Sequence, residues 1–346
     1  MPIYNPEANS AAKARLIAAL QQGRLIGMTG AGLSAWAGYP VWNRALRRLA
    51  DLVAEITGER QHGDEVIAQN MDMLFCAQKL GQIIGPDEFS RFLVREFGPN
   101  AKVSPNVLLH FALLRLRHIV TLNFDPSCEE AHAAAGVPYR SLSSANNEVL
   151  VEFFREMDIQ GCEKTIFHLH GRFNDPLDKI ALTEVGYQRL YSEGALFPHH
   201  FRNLVVAKSL LFCGFGFADY DVVEMLYRMA RQVRAQLNNR PVLFHFAIIG
   251  LRNETDQHND DRARRQHMSD RYLTDAIFYN VRDGDDPHAE FAELMRELSE
   301  ACGHAALPQL PGAAPAAEIV ALEDIQRMES LSAGFLRRVG QNHEND

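Results

Sequence analysis

Short, continuously apolar runs return along the chain at wide intervals, at 24–29, 119–122, 165–169, 210–213, 242–249 and 276–281. Each is too short for a helix, and none alternates polar with apolar as a half-solvated strand does. Between them lie stretches with apolar residues every three or four positions, such as 149–157 and 222–237. Buried strands alternating with helices are what a parallel sheet covered on both faces produces. The pattern predicts an α/β protein with a Rossmann-like, doubly wound parallel sheet.

From Trp42 to about residue 116 the period is helical throughout. Leu46, Leu49, Leu52, Val53 and Ile56 form one stripe, ended by Gly58, and Phe89, Phe92, Leu93 and Phe97 form another. This predicts a small helical module at 44–105, inserted into a sheet domain built from 1–43 and 106–303. Beyond it, 304–317 carries three prolines among many alanines and reads as a linker. At 318–340, Ile319, Leu322, Ile325, Met328, Leu331 and Phe335 make an amphipathic helix, expected to dock on its own core or on another chain.

Composition narrows the class. A chain of 346 residues with 20 Phe and 47% hydrophobic content can build a large core. A net charge of −9 gives no overall basic balance for direct nucleic-acid binding. The five cysteines, Cys76, Cys128, Cys162, Cys213 and Cys302, are isolated, so the paired thiolates of a zinc ribbon are missing and no metal is expected. Their odd number fits reduced thiols. With neither a leader-like start nor an apolar run of ~18 residues, the expectation is a cytoplasmic protein off the membrane.

Four clusters could carry chemistry, each at the end of an expected strand. Thr29-Gly30-Ala31-Gly32-Leu33-Ser34 exposes backbone N–H groups that could cradle a phosphate, although the third glycine of the dinucleotide fingerprint is missing. Gly38-Tyr39-Pro40-Val41-Trp42 adds a second constrained turn. Asn123 and Asp125 in Thr121-Leu122-Asn123-Phe124-Asp125 would share a side of an extended segment. They offer donor and acceptors suited to a carboxamide and a ribose hydroxyl, but also match ordinary turn chemistry. In Phe167-His168-Leu169-His170-Gly171 the two histidines could suggest a metal pair, but no third ligand sits at a recognisable spacing. His170 suits a general base or ribose partner better. Finally, Gly214 and Gly216 form a second glycine turn, and of Asp219 and Asp221 one is expected to cap the following helix and the other to reach a ribose.

In this order the clusters resemble the sirtuin family, and more closely the bacterial sirtuin-like (silent-information-regulator-type) NADase branch of antiviral defence systems. The carrying residues are Gly30, Ala31, Gly32, Ser34, Gly38, Pro40 and Trp42, then Thr121, Asn123 and Asp125, then His170 and Gly171, then Gly214, Gly216 and Asp219. The departures are as informative. Trp42-Asn43 stands where deacylases have an aromatic–Arg pair, Leu122 replaces a glutamine, and the Cys₄ zinc module is missing.

The resemblance implies NAD⁺ as substrate and cleavage of its nicotinamide–ribose bond. Asn123 is expected to position the attacking water and His170 to handle ribose hydroxyls and protons, while Asp125 holds the carboxamide. The backbone of Ala31 and Gly32, with Ser34, is expected to hold the pyrophosphate. It also implies control through a homo-oligomer or a partner such as a HerA-type hexameric ATPase. An NAD-dependent protein deacylase and a non-catalytic NAD-binding assembly subunit remain open as alternatives.

Overall fold

Each strand of the computed structural model sends successive side chains to opposite faces of one sheet, and both faces are covered. The structure describes residues 4–58, 63, 66–67, 72–99, 103, 106–157, 163–192, 194–217, 219–238, 242–252, 261–282 and 286–304. The chain runs through α1 (Pro6–Gln21), β1 (Leu25–Thr29), α2 (Ala31–Ala35), α3 (Trp42–Thr57), α4 (Met73–Ile84), α5 (Pro86–Phe97) and α6 (Asn106–Leu113). It continues through β2 (His118–Thr121), α7 (Ser127–Ala134), β3 (Arg140–Ser143), α8 (Asn147–Glu156) and β4 (Thr165–His168). Then come α9 (Glu184–Tyr191), α10 (Leu196–Ala207), β5 (Ser209–Cys213), α11 (Tyr220–Gln236), β6 (His245–Arg252), α12 (Asp261–Tyr272), β7 (Thr274–Val281) and α13 (Ala289–Ala301).

The seven strands lie in the order β3-β4-β2-β1-β5-β6-β7, and every pairing is parallel. After β1 the chain builds outward on one side through β2, β3 and β4, then returns to β5 on the other side of β1. Such a reversal opens a crevice beyond the carboxyl ends of the central strands, where α/β proteins bind ligands. The doubly wound parallel sheet expected from the apolar runs is the observed architecture.

The alternation is regular. Leu25, Ile119, Ile166, Leu211, Ile248 and Ile277 enter one core, with α1, α6 and α13. Their neighbours Ile26, Val120, Phe167, Leu210, Phe212, Ala247 and Phe278 enter the other, with α8, α10, α11 and α12. A third cluster, built by α3, α4 and α5, also takes in Phe124 after β2 and Ile180 and Leu182 after β4. The helical stretch is thereby packed against the loops at the carboxyl edge of the sheet.

Strand β3 has no counterpart among the apolar runs. Its sequence, Arg140-Ser141-Leu142-Ser143, is polar and half-buried at one edge of the sheet, whereas the other edge strand, β7, is covered by α1, α12 and α13 and stays apolar. Among the described residues no helix is long and apolar enough to cross a membrane. Cys76, Cys128, Cys213 and Cys302 are buried. Cys162, the linker beyond His304 and the 318–340 segment lie outside the described residues.

Candidate functional site

Asn123 sits just past the end of β2, beside the turn that follows β1. Its Nδ2 donates to the Gly30 carbonyl at 3.0 Å and to Ser34 Oγ at 2.6 Å. A carbonyl only accepts, so the amide nitrogen must point this way and Oδ1 must point the other. Ser34 Oγ in turn donates to Asp125 Oδ1 at 2.9 Å and lies 3.0 Å from Ser127 Oγ, while the Ser127 N–H donates to the same Asp125 oxygen. Gly30, Ser34, Asn123, Asp125 and Ser127 thus form one buried knot joining the ends of β1 and β2. Burial pushes the Asp125 carboxyl above its ordinary range, against the opposing pull of the Ser127 and Ser34 hydrogen bonds.

The two glycine turns meet backbone to backbone. Gly32 N–H donates to the Gly214 carbonyl at 3.0 Å. A Cβ on Gly30 would lie 2.8 Å from that oxygen, and one on Gly214 only 2.2 Å from Leu33 N. Gly214 also has φ +60°, so it is glycine for both conformation and close approach. The Gly32 amide and the Ser34 hydroxyl, expected to face a pyrophosphate, are therefore engaged within the protein here. Among the described residues the Ala31 N–H, at the start of α2, has no acceptor. Gly216 is exposed and Gly214 half-buried.

His170 follows β4 at the same edge of the sheet. Its Nε2 lies 2.7 Å from Tyr191 OH and 3.6 Å from Asp219 Oδ2, and its ring packs against Phe124 and Tyr187. Burial holds the imidazole below its usual pKa despite the Asp219 carboxylate, so the neutral ring is favoured. Asp219 is the helix cap: Oδ1 accepts from Val222 N and Oδ2 from Tyr187 OH. Asp221, which does not cap, is pushed up to about 6 by burial and by the charge of Asp219.

Pro40 is buried and Trp42 half-buried at the first turn of α3, where Trp42 packs into the third core cluster. Both stand at the rim of the helical layer, outside the hydrogen-bonded knot. Among the described residues no three or more His, Cys, Asp or Glu side chains converge as a metal ion would require.

Four contributors escaped sequence reasoning: Ser127, Glu129, Tyr187 and Tyr191. Ser127 and Glu129 closely follow Asp125, and their positions at the start of α7 could have flagged them. The tyrosines are one helical turn apart on α9, a spacing that places them on one face. Nothing local indicates that this face meets His170.

The family model described as the SIR2-like domain matches residues 117–273. Residues 117–273 are thus similar to a SIR2-like domain. The matched segment contains Asn123, Asp125, His170, Gly214, Gly216, Asp219 and Asp221, while β1 and its Gly30–Ser34 turn lie before it at the centre of the same sheet. The chain is 25% identical over 249 residues to the NAD(+) hydrolase ThsA of Acinetobacter baumannii (strain 532279), covering 71% of this chain and 46% of that protein. It is 21% identical over 249 residues to Defense-associated sirtuin 2 of Bacillus subtilis, covering 71% of this chain and 23% of that one. The chain therefore spans less than half the length of these curated relatives. The chain is thus similar to one protein named for NAD(+) hydrolysis and to one named as a defense-associated sirtuin.

Proposed function

We propose that this SIR2-like chain is an NAD⁺ glycohydrolase that releases nicotinamide and ADP-ribose. The observation that carries the reading is the meeting of Asn123, Ser34 and Gly30 at 2.6–3.0 Å, with His170 following β4 at the same end of the sheet. Similarity to a protein named as an NAD(+) hydrolase supports it.

Nicotinamide leaves NAD⁺ as a neutral molecule from a cationic ring, so a strong acid is not needed. The task is to place water at the anomeric carbon while an oxocarbenium-like charge develops. Asn123 Oδ1, held outward by the two bonds on Nδ2, accepts from that water. The water's oxygen bonds to the anomeric carbon as the carbon–nitrogen bond breaks, and its proton leaves to a base. His170, neutral through burial, is the residue to accept protons and bind the ribose hydroxyls. The hydrogen bonds to Asp125 fall on Oδ1, leaving Oδ2 for the nicotinamide carboxamide. The Ala31 amide and the Gly214–Gly216 turn are the backbone left for the pyrophosphate. Asp221 is the carboxylate left for a ribose hydroxyl, since Asp219 caps α11.

In a cell this activity depletes NAD⁺ during phage infection, an abortive-infection defence. It is held in check by a homo-oligomer or a partner such as a HerA-type ATPase, which the 318–340 segment is suited to contact.

HPLC of NAD⁺ incubated with wild type, Asn123→Ala and His170→Ala, with and without co-purifying partner, tests the assignment. Nicotinamide release by wild type and by neither variant is expected. Equal release by all three removes Asn123 and His170 from the chemistry. A fully active purified monomer refutes the proposed control.

A further inference from the structure

Beneath Asn123 lies a second pair that the cleavage chemistry does not use. His168 ends β4 and Glu129 lies on α7, and their side chains meet with His168 Nε2 at 2.7 Å from Glu129 Oε1. On its other side, His168 Nδ1 lies 2.8 Å from the backbone carbonyl of Asn123. Ser141 Oγ, from the edge strand β3, donates to the same Glu129 oxygen at 2.6 Å. The ring is fully buried, at 0% exposure against 7% for Asn123 and 4% for His170, so it cannot touch a substrate.

The protons can be placed from these contacts. A carbonyl only accepts, so Nδ1 must carry a proton. A second proton must lie between Nε2 and Oε1, shared by an imidazole and a carboxyl. Burial opposes charge on both groups. The carboxylate outweighs it for the ring and raises the pKa of His168, while the ring and the Ser141 hydroxyl outweigh it for Glu129 and lower the carboxyl's. The pair is an imidazolium–carboxylate. Charged and titratable groups reach it from every neighbouring element: Asp125 from the segment after β2, Arg172 from the segment after β4, Cys128, Glu130 and His132 from α7, Tyr139 from the segment before β3, and Tyr39 from the turn before α3. Arg172 acts against the imidazolium, and its Nη1 also donates to Ser141 Oγ.

Loss of the shared proton has a directional consequence. The remaining ring proton is then drawn to Glu129, because a lone pair facing a carboxylate is repelled. Nδ1 is left presenting its own lone pair to the Asn123 carbonyl. That carbonyl belongs to the residue whose Nδ2 grips Gly30 and Ser34, so freeing it tilts the carboxamide.

We infer that His168 and Glu129 are positioning residues, a buried charged relay that clamps the Asn123 backbone and so fixes the direction of its carboxamide. This rests on Asn123 acting in NAD⁺ cleavage. It assigns a role to residues that never contact the ligand.

The test uses the full chain in three forms. Glu129→Gln keeps a donor for Nε2, leaves the ring neutral, and retains the Nδ1–H bond to Asn123. Glu129→Leu removes the partner. In wild type, kcat for nicotinamide release, corrected for uncatalysed loss, should fall along an alkaline limb as the shared proton is removed. Glu129→Gln should stay within a few-fold of wild type near neutrality and lack that limb. Glu129→Leu should lose about 10²-fold in kcat with KM little changed, the size expected from a misplaced reacting group.

Histidine and asparagine side-chain ¹⁵N signals supply a readout besides activity. Both ring nitrogens of His168 should carry protons in wild type, and only Nδ1 in Glu129→Gln. The Asn123 carboxamide signal should move in Glu129→Leu and hold in Glu129→Gln. A neutral His168 in wild type, or a folded Glu129→Leu protein with wild-type kcat and an unmoved carboxamide signal, overturns the inference. An alkaline limb retained in Glu129→Gln does so equally, and this arm decides alone if the leucine variant fails to fold. If wild type releases no nicotinamide under any condition, the glycohydrolase reading falls and the ¹⁵N arm decides the clamp by itself.

Discussion

Replacing Gly214 by alanine should open the contact between the two glycine turns. A Cβ at this position would stand 2.2 Å from Leu33 N and 2.9 Å from the Gly32 carbonyl carbon, both backbone atoms that no side-chain rotation can move. Relieving a 2.2 Å approach requires the turns to separate by about 1 Å, given that carbon seldom packs below roughly 3.2 Å against backbone. That movement stretches the 3.0 Å bond from Gly32 N–H to the Gly214 carbonyl beyond usefulness. Its loss leaves half-buried polar groups unpaired, at about 1–3 kcal/mol. The left-handed φ of +60° adds strain, about 1–2 kcal/mol for a residue with a Cβ. Together these give about 2–5 kcal/mol, or a melting temperature lower by roughly 3–8 °C in a domain of this size. Differential scanning fluorimetry on Gly214→Ala and Gly38→Ala separates the two contributions. Gly38 has φ +88° but nothing within 4 Å of its would-be Cβ, so it reports strain alone. A drop in Gly214→Ala no larger than in Gly38→Ala would refute the close packing of the turns.

Two further outcomes follow from the buried polar groups. Lys164 Nζ donates to the carbonyls of Ala112 and Leu114 at the end of α6. Lys164→Met keeps the apolar stem and should lose about 2 kcal/mol in urea unfolding, whereas an unchanged midpoint would show the bonds to be idle. His118, His132 and His245 are each lowered to about 4, chiefly by burial. The unfolded chain binds their protons near 6.5, so stability is complete above that pH and declines as pH falls from about 6.5 toward 4, levelling off below. Urea unfolding between pH 8 and 4 should show the decline, with His245→Gln reducing its slope by about one proton. A flat profile from pH 7 to 5 would contradict the burial argument.

The parts of the fold written locally were readable from sequence. Six strands announced themselves because each is buried on both faces and cannot alternate. The seventh, β3, is an edge whose Arg140 pairs with Glu152 and Glu156 on α8, and its polarity hid it. The sheet-end clusters were readable for the same reason, since Asn, Asp, His and Gly at strand ends stand out against apolar runs. Their partnerships were not. Ser34 reaches Asp125 across 91 positions, and Glu129 reaches His168 across 39. The parallel pairing of β1 with β2 and of β2 with β4 brings such residues together, and no periodicity encodes it. The first glycine turn shows the limit most directly: two glycines after a strand predict free amides, yet Gly32 N–H is taken by the second glycine turn.

The family match begins at residue 117, but the site cannot be cut there. Strand β1 is hydrogen-bonded to β2 on one side and β5 on the other, so without it the sheet divides. Gly30 and Ser34, at its end, accept both hydrogen bonds that set the Asn123 carboxamide from the outside. His168, inside the matched segment, sets the same residue's backbone from beneath. Asn123 is thus held by two constraints from opposite sides of the family boundary. Loss of the first leaves the carboxamide free to rotate and loss of the second lets it tilt, which is why the glycine turn and the buried His168–Glu129 pair belong to one device.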